Sequence, residues 1–224
     1  MMEQHAVRPP FLIAHKRQAK AAVLSFAALA LAAPILIVGF SPGHFAGAQA
    51  SAIRLLGLYA FTFAFFNIMT GALSRLFYMV FNPAREYLFH IVCGATALGL
   101  ALAHGIIVLV THFYRGFSWP WVIGPVALVL LIVTVASALE KNRLRHVWRA
   151  IHLINYLIFT AVFVKVMIIG QDVSAATSTA YAMKSIMILY LVLAAAATLA
   201  RARDYSRTAA RRSAAAKSAP TKGD

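Results

Sequence analysis

Between Tyr87 and Val110 the chain reads YLFHIVCGATALGLALAHGIIVLV, a run whose only ionisable groups besides Tyr87 and Cys93 are two histidines, His90 and His104. At about 1.5 Å of rise per residue, a helix of this length covers a hydrocarbon core about 30 Å thick. The run therefore predicts a membrane-crossing helix. A polar group facing lipid must find a partner, so a histidine inside such a helix marks a functional site by default. His90 and His104 are separated by about four helical turns. They point to nearly the same face, about 21 Å apart along the axis.

The rest of the chain repeats the apolar character of this run. Of 224 residues, 62% are hydrophobic and 12% charged, with a mean hydropathy of +0.77. A soluble domain of this size has no use for so much apolar surface. Six runs are long enough to span: Ala21–Phe40, Leu55–Tyr78, Tyr87–Val110, Trp121–Leu139, Val147–Gly170 and Tyr181–Ala200. The expected fold is all-α, a polytopic membrane protein built as a six-transmembrane-helix bundle. Residues 1–20 form an N-terminal segment, 21–200 the bundle, and 201–224 a basic tail expected to be disordered. The first run is longer than the apolar core of a signal peptide, about 7–15 residues, and reads as a retained span. Pro34 and Pro125 fall inside spans, where neighbouring groups must satisfy the backbone they free.

Charge sets the expected orientation. All but four of the 21 Lys and Arg residues fall in the two terminal segments and the second-to-third and fourth-to-fifth connections; the exceptions are Arg54, Arg115, Lys165 and Lys184. Positive residues stay cytoplasmic, so both termini are expected inside, in a bacterial inner membrane. The net charge of +15 thus points to topology and anionic lipid, not to nucleic acid. The single cysteine, Cys93, excludes an intrachain disulfide and reads as a packing residue. No Gly-rich phosphate or dinucleotide fingerprint occurs, so hydride chemistry on a nicotinamide needs a separate partner.

The fifth run carries the second half of the pattern. Trp148, His152 and Tyr156 follow at i, i+4 and i+8 on one stripe, and Lys165 lies 13 residues beyond His152. With the third and fifth spans running the same way, His90 and His152 share one depth, and His104 and Lys165 another. Iron in a b-type heme takes axial ligands from opposite faces of the ring, so histidines on two neighbouring helices suit it. Arg149, with Arg143 and Arg145, is placed to neutralise heme propionates, although positive-inside topology also accounts for these arginines. His112 and His146 fall at helix ends and read as solvated interface residues. His5, His15 and His44 lie in tails or loops.

These features together resemble the ferric reductase-like transmembrane domain: six spans, a histidine pair 14 apart in the third, and Trp-x-x-x-His-x-x-x-Tyr opening the fifth. That family includes the membrane cores of NADPH oxidases and metalloreductases, and the heme subunit of a periplasmic methionine sulfoxide reductase system. The resemblance covers roughly Leu55 to Ala200. It implies two stacked hemes, the inner on His90 and His152 and the outer on His104, with Trp148, Tyr156 and Arg149 close to the inner one. In the family a second histidine follows about 13 residues after the first on the fifth helix. Here that position is Lys165, a departure from the pattern. The expectation is one heme b per chain, with Lys165 turned outward and His104 lacking a protein partner. The competing arrangement makes a neutral Lys165 the second ligand of the outer heme.

No catalytic residue is assigned. The expected function is electron transfer from a separate flavoprotein reductase or a quinol towards an acceptor on the outer side, as the membrane subunit of an oxidoreductase. Two alternatives stand beside it: a heme-free membrane scaffold or transporter derived from such a cytochrome, and a diheme cytochrome with different helix pairings.

Overall fold

The computed structural model describes residues 15–41, 47–112, 119–145, 147–170, 173 and 175–218. They form seven helices: α1 (Lys16–Phe40), α2 (Ala48–Ala72), α3 (Ser74–Val80), α4 (Pro83–His112), α5 (Trp119–Leu139), α6 (Trp148–Ile169) and α7 (Ser178–Ser218). There is no strand among the described residues. Six of the helices, all but α3, are long and apolar enough to cross a membrane. The chain is an all-α six-span bundle and an integral membrane protein.

α2 is the hub. It packs against α1, α4, α6 and α7, and its closest neighbour is α4. The sequence explains why: α2 carries the densest set of aromatics, with Phe61, Phe65 and Phe66 all buried. Phe61 stacks on Phe159 of α6 with ring centres 4.4 Å apart, and Phe65 stacks on Tyr190 of α7 at 4.2 Å. In lipid there is no hydrophobic drive between helices, so such close van der Waals contacts hold the bundle. Cys93 is fully buried in the same core as a free thiol. Leu29, Ile35, Leu36 and Phe40 of α1 are exposed, as lipid-facing residues should be.

Pro34 illustrates how the bundle absorbs a missing donor. Without an N–H at Pro34, the carbonyl of Ala30 loses its helical partner. The Tyr190 hydroxyl reaches that carbonyl at 3.5 Å, and the Tyr59 hydroxyl donates to the next one, Leu31, at 2.9 Å.

Several helices begin before the apolar runs read from sequence, α2 at Ala48 rather than Leu55, and two further differences change the architecture. The second span, read as continuous to Tyr78, breaks at Leu73 and resumes as the short α3. Hydropathy averages over a window and does not register a local change of backbone direction. At the other end, α7 continues to Ser218, so residues 201–218 are helical and not a disordered tail. The correction has a physical basis. Nucleation is the costly step in helix formation, and the apolar half of α7 supplies the nucleus. The Ala- and Arg-rich continuation needs only to propagate it.

Candidate functional site

α2 and α4 run antiparallel, and the two histidines of α4 meet α2 in the same way twice. The His90 ring lies over Gly71, where an added Cβ would stand 3.4 Å from the imidazole. Its Nδ1 is 3.1 Å from the Asn67 carbonyl, four residues before that glycine, and 3.1 Å from the Thr70 hydroxyl. One step along the helix pair, the His104 ring lies over Gly57, closer still at 2.9 Å. Its Nδ1 is 2.9 Å from the Ile53 carbonyl, again four residues before the glycine. A carbonyl only accepts, so Nδ1 carries the proton in both rings and Nε2 keeps its lone pair. This is the arrangement by which a metal-binding histidine is fixed in tautomer and orientation.

From the other side, α6 brings His152 to His90. The two ring centres are 6.0 Å apart, with planes inclined at 56°. α4 and α6 are not a closely packed pair; each packs on α5 instead. The imidazoles therefore meet across a gap between two helices that stay apart. α5 reaches His152 through Asn155. The buried Thr134 hydroxyl donates to Asn155 Oδ1 at 2.8 Å, and the Asn155 amide nitrogen lies 3.5 Å from His152 Nδ1. The three residues lock one another.

The other expected residues fall as follows. Trp148 is half-buried and its ring centre lies 6.0 Å from that of His152. Arg149 is exposed and lies over the Trp148 ring at 5.8 Å. Arg143 is occupied by Glu140 at 3.4 Å. Tyr156 packs against the aromatic core and not on the histidine pair. Lys165 is half-buried and lies within electrostatic reach of His104. Its Nζ rests on Gly124 of α5, about one and a half turns inside the start of that helix. His146 and the side chain of His112 lie outside the described residues.

Three features escaped the sequence reading. Gly57 and Gly71 are separated by the same 14 residues as His90 and His104, and that matched interval on adjacent helices was the available signal. Asn67 contributes its carbonyl to His90, while its buried Oδ1 has no hydrogen-bond partner among the described residues. Arg201, counted only as a tail charge, donates to the Gly71 carbonyl. It also lies within electrostatic reach of both His90 and His152.

The paired donors on α4 and α6 are two imidazoles. No group of three or more His, Cys, Asp or Glu residues is placed to hold a metal among the described residues, and a lone zinc ion wants three or four protein ligands. A porphyrin supplies four nitrogens and asks the protein for only two. The His90 and His152 ring centres are 6.0 Å apart, the same separation as that of Trp148 from His152. Comparison of the chain with protein-family models, with curated proteins and with solved structures returns no match.

Proposed function

We propose that this chain is a b-type heme protein that carries electrons across a bacterial inner membrane, with both termini on the cytoplasmic side, as its resemblance to the ferric reductase-like domain implies. The observation that carries this reading is the pair of half-buried imidazoles, His90 and His152, with ring centres 6.0 Å apart and the His90 ring pinned by the Asn67 carbonyl. A bound heme supplies a one-electron Fe(III)/Fe(II) couple. His90 and His152 would hold it, Asn67 would keep the His90 ring turned, Thr134 and Asn155 would position His152, and Arg201 would offset the charge of its propionates.

Such a pair accepts electrons one at a time from a separate flavoprotein reductase or a quinol. It delivers them towards an acceptor on the outer side, with His104 and Lys165 at the outer depth of the bundle. The reading takes one heme per chain. The test is an absorbance spectrum of protein purified from heme-replete cells. A Soret band with low-spin bands in the reduced-minus-oxidised difference is expected. Its absence would favour a heme-free scaffold in which the histidines only hold helices together.

A further inference from the structure

A second cluster lies away from the histidines, at the end of the bundle where α1 begins and α4 begins. There Lys16, Arg17 and Lys20 of α1 and Arg85 of α4 line a cleft of about 990 Å³ whose apolar wall is Val80 and Phe81. Sidedness alone accounts for cations at this end of the molecule, but not for their convergence from two distant stretches of chain on one cavity. None of the four forms an ion pair among the described residues, and no described carboxylate lines the cleft. The nearby acid, Glu86, is buried.

The start of α1 supplies an independent observation. Its first turn has no acidic residue, and its N-cap, His15, makes no side-chain bond to the free N–H groups. Lys16 and Lys20 are like charges at i and i+4, with Arg17 beside them, at the helix end whose dipole is already positive. The charges disfavour this helix start unless an anion sits on it, although the His15 and Gln18 side chains hydrogen-bond across the first turn at 2.8 Å. Local conflicts of this kind are expected where a site serves a ligand.

We propose that this cleft binds the phosphate-bearing headgroup of an anionic phospholipid. The four cations and the free N–H groups of α1 take the phosphate oxygens, and Val80 and Phe81 face the first part of the acyl chains. The cavity exceeds what one free phosphate needs. Its apolar wall and its place at the end of two membrane helices favour a lipid over a soluble phosphate ester.

The test is native mass spectrometry of the full chain released from phosphatidylcholine nanodiscs with and without phosphatidylglycerol. The double variant Lys16→Gln/Arg85→Gln is compared with Arg203→Gln/Arg207→Gln, which removes the same charge from the exposed part of α7. One tightly retained phosphatidylglycerol per chain is expected in the wild type and in the α7 variant. Each Lys or Arg beside an anionic headgroup is worth about fivefold in binding, so the cleft variant should bind about thirtyfold more weakly. Glycerol phosphate added in solution should not displace the lipid. Equal loss in both double variants would overturn the site in favour of diffuse surface charge. Tight binding of glycerol phosphate with no retained lipid would overturn the lipid in favour of a soluble phosphate ligand.

Discussion

The inner and outer halves of the histidine site begin alike and end differently. On α2 and α4 they are near copies: glycine under the ring, a carbonyl four residues earlier on Nδ1, and histidine on the facing helix. On α6 the copies part, for His152 completes the inner half while Lys165 stands at the outer one. The supports differ too. His152 lies against Asn155, which Thr134 of α5 holds, whereas Lys165 rests on a glycine, Gly124, which offers no side-chain partner. The α2–α4 pair thus presents two similar histidine cradles, and α6 sets a histidine against one and a lysine near the other. A lysine in that place differs from a histidine in more than charge, because its donor must shed a proton before it can bind a metal, at a cost set by its surroundings.

The largest expected effect comes from the inner half. His90→Ala or His152→Ala should abolish the low-spin heme signal altogether, read in the reduced-minus-oxidised spectrum of purified protein. Retention of an unchanged signal in either variant would break the comparison at its strong end. The next effect tests the weak end. Lys165→His should raise the heme content from one to two per chain, measured as heme per protein after extraction. A wild-type ratio of two that falls to one in Lys165→Ala would show instead that the lysine is already a ligand and that the two halves are equivalent.

The glycines allow a finer test, because the two cradles differ in tightness. A methyl group at Gly57 would stand 2.9 Å from the His104 ring and must displace it, whereas at Gly71 it would stand 3.4 Å from His90, an ordinary contact. Gly57→Ala in the Lys165→His background should therefore cancel the second heme. Gly71→Ala in the wild type should leave the inner heme bound. Equal losses at the two positions would show that the cradles are not graded as their distances indicate.

The smallest effect expected is that of Arg201→Gln. Removing a cation near the inner pair favours the oxidised, more positive iron, so the midpoint potential should fall. Roughly a few tens of millivolts is the scale of a partly screened charge at this range. Heme content should stay unchanged. A potentiometric titration that shows no shift would return Arg201 to a purely topological role and leave Arg149 as the remaining cation beside Trp148.

Hydropathy alone located the six spans, since length and apolar content are summed along the chain and need no neighbours. The spacing of His90 and His104, and of His152 and Lys165, was equally legible, because helical periodicity fixes depth and face. Sequence could not reveal which group turns each ring. Carbonyls at Asn67 and Ile53 are backbone atoms that every residue carries, and only helix packing selects among them. The sequence singled out Arg149 and left Arg201 as one more tail charge. The uninterrupted α7 brings Arg201 to the histidine pair, while the fold leaves Arg149 on the Trp148 ring. Chain order thus determined the spans and the depth of each polar residue. Tertiary structure alone decided their partners, because a hydrogen bond across helices depends on how two surfaces meet and not on the interval between residues of one strand of chain.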